Sequence, residues 1–208
     1  MYSLYYSPFA CSFAVHAALE KIGEPYELTK VDIYKQEHLT PEFEHLNPNR
    51  QVPVLQHDQV TITQASAILL YLSERHPNAH LMPPISHRDR ADALQVLFYL
   101  SNTLHPLFLR LFYPNRISEQ SPDDVKRLGT AALEEAFRLI DRQLSKTQYC
   151  VSDTLYAPDY YLLAMLNWLR IHPVDISDME HIQTYLKRMR EHPEVQVVMA
   201  KEMQSMAA

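Results

Sequence analysis

A cysteine and a serine open the first helical stretch of this chain, in Tyr6-Ser7-Pro8-Phe9-Ala10-Cys11-Ser12. Orphan backbone N–H groups and the positive end of the helix dipole favour a thiolate at such a position. The chemistry open to Cys11 is to bind, exchange with or activate another thiol. The alternative is a cysteine that fills the core, since free cysteine is among the most buried residue types. A second candidate lies in Asn47-Pro48-Asn49-Arg50-Gln51-Val52-Pro53-Val54-Leu55, a polar turn that runs through Pro53 into an apolar strand. Proline cannot donate to a β-ladder, so Pro53 belongs at a turn or at the start of a strand. If the Val52–Pro53 bond is cis, the N–H and C=O of Val52 turn outward to pair with an extended peptide. If it is trans, the commoner state of such bonds, Pro53 merely opens the strand. His105, in Thr103-Leu104-His105-Pro106, either meets a ligand or pairs a carbonyl that Pro106 leaves without a donor.

The elements that must position these groups follow from periodicity. Tyr2 to Tyr6 reads as a short strand ended by Ser7-Pro8. Apolar residues then recur with helical spacing from Cys11 to Ile22, and Gly23 stops that helix. Tyr26 to Asp32 alternates like a half-buried strand, and Pro41 to Leu46 forms a short helix. Val54-Leu55 and Val60-Thr61-Ile62 flank a His57-Asp58-Gln59 turn as a hairpin, and Gln64 to Arg75 is helical again. This order predicts a small mixed sheet covered by helices over residues 1–77. A proline-bearing linker follows over 78–86. Residues 87–208 carry only helical signals: His87 to Phe112 with a kink or break near Asn102 to His105 imposed by Pro106, then Asp123 to Leu144, Pro158 to Ile171, Met179 to Arg190, and a last helix opened by Pro193. Phe98, Tyr99, Phe108, Phe112 and Tyr113 read as core whose ends can floor an apolar pocket. Asp159, one turn into its helix, reads as a cap of backbone N–H groups.

Composition narrows the function classes. The chain has 208 residues, 47% hydrophobic and 21% charged, with a net charge of −6. That balance recommends neither nucleic acid nor an anionic membrane as a partner. No window of eighteen apolar residues spans a bilayer, and Met1 to Tyr6 lacks the features of a signal peptide. Two cysteines, Cys11 and Cys150, make no disulfide framework, so a reducing cytoplasm is expected. Only Gly23 and Gly129 occur, which excludes glycine-rich phosphate loops. The eleven histidines show no metal-ligand spacing, and no metal is expected.

Taken in order, Tyr6-Ser7-Pro8-x-Ala10-Cys11-Ser12, Asn47-Pro48-x-x-Gln51-Val52-Pro53-Val54-Leu55, Ala67-Ile68-x-x-Tyr71-Leu72, Pro158-Asp159-x-x-Leu162 and Leu186-x-Arg188-Met189-x-x-x-Pro193-x-Val195-Gln196 resemble a cytosolic glutathione S-transferase, most like the bacterial beta class. The resemblance covers essentially the whole chain. It implies a thioredoxin-like domain followed by a helical bundle, usually as a homodimer. It also implies a cis Pro53, with the Val52 backbone paired to the cysteinyl part of glutathione. By the same resemblance Cys11 stands beside the glutathione sulfur with Tyr6 on the preceding strand. Lys35 and Gln51 hold the glycyl end and backbone of the tripeptide, and His105 reaches the site from the helical domain.

Two departures matter. The Glu-Ser pair with which the family grips the γ-glutamyl group is Gln64-Ala65 here, with Ser66 one position out of register. Losing one hydrogen bond to a charged group, roughly 1.5–3 kcal/mol, implies binding weaker by roughly ten- to a hundredfold. The usual Ser/Thr cap before Asp159 is Tyr156, so that capping box is incomplete. The expected activity is conjugation of the glutathione thiolate to apolar electrophiles. The Cys11 and Ser12 side chains and the helix N-terminus act as donors, and Phe9, His105, Phe108 and Tyr113 line the electrophile pocket. The alternatives are a non-catalytic interaction protein of the same fold, or thiol transfer through a mixed disulfide on Cys11.

Overall fold

In the first strand, β1 (Tyr2–Tyr6), Tyr2, Leu4 and Tyr6 turn one face into the core, and the intervening residues are half-buried. The computed structural model describes residues 1–207. β1 pairs in parallel with β2 (Tyr26–Lys30) and antiparallel with β3 (Val54–His57), and β3 pairs antiparallel with β4 (Val60–Thr63). The sheet order is therefore β2-β1-β3-β4. The expected hairpin closes through Asp58-Gln59, with Asp58 at φ 53. Asp and Asn tolerate that left-handed conformation better than most side chains.

Helix α1 (Ser12–Ile22) follows β1 and buries every residue from Ser12 to Leu19. A helix apolar on all sides must be enclosed, and α1 is packed against α3 (Ala65–Arg75), α7 (Ala157–Asn167) and α9 (Pro193–Ala207). Gly23 ends α1 at φ 77 and donates its N–H to the Leu19 carbonyl, a left-handed cap that suits glycine. The short α2 (Pro41–Leu46) is capped by Thr40, whose Oγ1 accepts from the Phe43 N–H at 3.3 Å.

The rest is helical: α4 (Arg90–Tyr99), α5 (His105–Phe112), α6 (Pro122–Leu144), α7, α8 (Glu180–Glu191) and α9. Gly129 lets α6 approach α5, because a Cβ there would stand 2.7 Å from Leu111 Cδ1. The break expected at Pro106 takes a definite form. Leu100–Leu104 make one turn of π-helix, in which the His105 N–H reaches back to the Leu100 carbonyl. Pro106 offers no N–H, and its ring crowds the carbonyl four residues earlier, so the turn widens. The helix expected over Pro158 to Ile171 ends at Asn167 and tightens into a 3-10 turn over Trp168–Arg170.

At the start of α7 the buried Asp159 carboxylate accepts from the N–H groups of Cys150 (2.8 Å) and Tyr156 (2.9 Å). Tyr156 contributes its backbone, so the acid alone supplies the side-chain cap. Burial pushes the Asp159 carboxyl up to about 6, against the pull of those N–H groups. A folded-state value above the ordinary one means the protonated form favours folding. That contribution is present below about pH 4 and is lost as pH rises through 6. Relative to an Asp159→Asn variant, the protein should lose on the order of 3 kcal/mol of stability between pH 4 and pH 7, measured by urea unfolding at both.

Candidate functional site

Five stretches that are distant in sequence converge on one cavity of about 350 Å³, a size that suits a small ligand. The start of α1 contributes Cys11, and the loop before β3 contributes Asn47, Gln51, Val52 and Pro53. The first turn of α3 contributes Gln64, Ala65, Ser66, Ala67 and, one turn on, Leu70. Phe98, Ser101, Asn102 and His105 enter from α4, the π turn and α5, and Tyr161 from α7. The Val52–Pro53 bond is cis. No backbone or side-chain partner engages the Val52 N–H among the described residues. Asn47 holds the preceding loop: its Nδ2 donates to the Gln51 carbonyl (2.7 Å) and its Oδ1 accepts from the Asn49 N–H (3.0 Å).

Cys11 is half-buried, and its Sγ–H points to the Val52 carbonyl at 3.5 Å. Burial pushes its thiol up to about 12, and its own N–H and that of Ser12 pull the other way without prevailing. Desolvation thus opposes the thiolate that the helix N-terminus favours. His105 pairs its Nδ1 with the Tyr161 hydroxyl at 2.8 Å, and burial lowers its pKa to about 4, so its ring is neutral. No Asp, Glu, Lys or Arg is among the described residues that line the cavity.

Gln64 precedes α3 at φ 73 and ψ 117, in the region that favours glycine. Non-glycine residues there are held by their surroundings and gather at functional sites. The strained residue leads directly into the N–H groups of Ala65, Ser66 and Ala67, which have no partner within the helix.

Several expected site residues lie elsewhere. Tyr6 is buried and donates its hydroxyl to Ser205 Oγ at 2.8 Å, away from the cavity. The Ser12 hydroxyl is fully buried and donates to the Ser7 carbonyl (3.0 Å) while accepting from the Ser7 N–H (3.2 Å). It ties the loop and offers nothing to a ligand. Phe108 is fully buried against Phe137 and Trp168, because it faces the bundle core from α5. Tyr113 stands outside the cavity with the Arg116 guanidinium over its ring at 4.1 Å. Lys35 is exposed and faces Asp32 at 3.5 Å. Phe9 packs on Phe13 rather than lining the cavity.

Phe9 has another role. It sits at φ 55 between β1 and α1, gripped from both sides by the helical half of the chain. Its N–H donates to Glu202 Oε2 at 2.6 Å, and its carbonyl accepts from Trp168 Nε1 at 2.8 Å. Glu202 also meets His16 of α1, Oε1 to Nδ1 at 2.9 Å, with both side chains fully buried. The Trp168 ring packs against His105, with centroids 4.9 Å apart. The loop that delivers Cys11 is thus clamped by α9 and by the end of α7.

Ser101, Asn102 and Tyr161 escaped the reading of the sequence, whereas Phe98 belongs to the aromatic run whose ends were expected to floor a pocket. Phe98, Ser101 and Asn102 share a signal: with His105 they fall at i, i+3, i+4 and i+7, one face of a helix.

Comparison with known proteins places this geometry in a family. Residues 1–74 match the sequence family described as glutathione S-transferase, N-terminal domain, and residues 100–193 match the C-terminal domain of the same family. Glutathione S-transferase GstA of Escherichia coli O157:H7 is 30% identical over 201 residues, covering 96% of this chain and 98% of that protein. A beta-class glutathione S-transferase of Sphingomonas chungbukensis superposes with a TM-score of 0.86 at 29% identity, covering 96% of this chain and 98% of the other. A sphingomonad glutathione S-transferase complexed with glutathione gives the same TM-score and coverage at 28% identity.

Proposed function

Because this chain belongs to the glutathione S-transferase family, we propose that its cavity binds glutathione and transfers the alkyl or aryl group of an apolar electrophile to the tripeptide's sulfur. The observation that carries the reading is one cavity lined by Cys11, by Val52 next to a cis Pro53, and by the first turn of α3. The Val52 backbone pairs with the cysteinyl part of the peptide. The N–H groups of Ala65, Ser66 and Ala67 receive the γ-glutamyl carboxylate at the positive end of the helix. The Cys11 S–H and the N–H groups of Cys11 and Ser12 are the donors that hold the glutathione thiolate. Stabilising a thiolate needs donors and no strong base. The thiolate attacks carbon, the C–S bond forms, and a leaving group such as halide departs with its electron pair. The electrophile approaches on the aromatic side marked by His105.

Retention on immobilised glutathione, followed by conjugation with an aromatic halide, tests this reading. Binding with turnover is expected. Binding without turnover would favour the non-catalytic reading, and neither binding nor turnover would overturn the enzyme reading. A glutathione adduct on Cys11 after incubation with oxidised glutathione, read by mass spectrometry, would instead favour thiol transfer. We read the chain as a cytoplasmic homodimer. Its free cysteines suit a reducing compartment, and Val60 on the edge strand β4 and Phe98 on α4 stay exposed at 44% and 47%. Sedimentation at micromolar concentration should give twice the chain mass.

A further inference from the structure

Pro106 leaves a mark on the helical wall of the cavity. In an α-helix the Ser101 carbonyl accepts from the N–H of His105, and in a π turn from the N–H of residue 106. In this chain the His105 N–H goes to the Leu100 carbonyl, and proline has no N–H to give. The Ser101 carbonyl is therefore left without a donor from its own helix. A helical carbonyl points along the axis toward the residue one turn on. Ser101 and His105 both line the cavity, so the oxygen between them lies on the cavity face. The polar side chains beside it are turned elsewhere. The Ser101 hydroxyl meets the Phe98 carbonyl at 3.2 Å and Asn102 Oδ1 at 3.3 Å. His105 Nδ1 is paired with the Tyr161 hydroxyl at 2.8 Å. A carbonyl is an obligatory acceptor, and π turns gather at functional sites.

We propose that the Ser101 carbonyl is a recognition point for the second substrate, whose apolar body carries a hydrogen-bond donor, an amide N–H or a hydroxyl, aimed at this oxygen. The inference rests on the conjugation reading above and narrows its electrophile. Pro106 sets the preference by withholding the N–H that would otherwise close the carbonyl within the helix.

Two aryl chlorides supply the test. Both carry a nitro group ortho to the chlorine. Para to it, one has an N-methylcarboxamide and the other the methyl ester. They match in size and reacting carbon, and only the amide has an N–H. For each, kcat/KM is divided by the uncatalysed rate with free glutathione. That ratio should favour the amide by about tenfold, because an ester oxygen set against a carbonyl leaves both acceptors unpaired. Pro106→Ala supplies the missing N–H, whether the turn stays wide or tightens to α, and alanine suits a helix interior. In that variant the preference should fall below about threefold, since the carbonyl is then satisfied before the substrate arrives. Equal treatment of amide and ester by the unaltered protein would overturn the inference and leave conjugation standing. A preference that survives in Pro106→Ala would overturn the assignment to the Ser101 carbonyl. Turnover of neither chloride, with no retention on immobilised glutathione, would overturn the glutathione reading itself.

Discussion

Replacing Glu202 by alanine should cost roughly 2–5 kcal/mol of stability, because it strands two buried hydrogen-bond partners at roughly 1–3 kcal/mol each. Glu202 and His16 are fully buried and face each other at 2.9 Å. His16 Nε2 also meets the Tyr26 hydroxyl at 3.1 Å. Truncation would leave the His16 ring without its acid and the Phe9 N–H without an acceptor, in a region that water does not reach to repair. Burial raises the Glu202 carboxyl, opposed by His16 and the Phe9 N–H, so the site is costly to build and costlier to break. The loss should appear as a lower urea midpoint with an unchanged slope. Glu202→Gln retains an acceptor for Phe9 and should lose markedly less. Conjugation activity should fall faster than stability in the alanine variant, because Phe9 is two residues before Cys11 and its backbone is clamped by this carboxylate. A Glu202→Ala protein with an unshifted midpoint would remove α9 from the account of how the loop is held.

Cys11 should resist alkylation. With its thiol pushed up to about 12, its thiolate fraction at pH 7 falls on the order of three thousandfold below that of a free cysteine. A more basic thiolate is a better nucleophile, which recovers some tens of fold. The net expectation is iodoacetamide labelling roughly a hundredfold slower than free cysteine at pH 7, with a rate that keeps climbing beyond pH 9. Labelling at the rate of free cysteine would show a thiolate at the start of α1 and return Cys11 to the role of nucleophile. On the proposed reading, Cys11 is a protonated donor whose S–H turns from the Val52 carbonyl to the ligand sulfur. Cys11→Ser should therefore retain far more conjugation activity than Cys11→Ala.

Both outcomes depend on contacts that separate legible from illegible features of the chain. The mixed sheet, the hairpin, the short α2 and the succession of helices were written in local pattern: alternation at Tyr2–Tyr6, 3.6-residue spacing at Cys11–Ile22, the stop at Gly23. Pro106 marked where the fourth helix must change its winding, since a missing N–H acts within one turn. The motif around Pro53 and the Gln64-Ala65 departure fall in one corner of the protein, and Cys11, Gln51, Val52, Pro53, Gln64, Ala65, Ser66 and His105 all line one cavity.

What the sequence could not determine was direction and environment. Tyr6 and Ser12 sit beside the loop that carries Cys11, yet their hydroxyls are spent on Ser205 and Ser7. Phe108 and His105 lie three residues apart on α5, and only packing against Phe137 and Trp168 sends Phe108 to the core while His105 stays on the cavity. The partnership of His16 with Glu202 spans 186 residues and has no local signature. The protonation of Cys11 turns on the same distinction. A helix start is a local feature that favours the thiolate, whereas desolvation is the sum of every atom the fold places around the sulfur. Local chemistry, visible in the sequence, chose the elements and the residue types. Tertiary packing alone decided which of those groups face the cavity and how far each is desolvated, because burial and long-range pairing arise only when the whole chain closes.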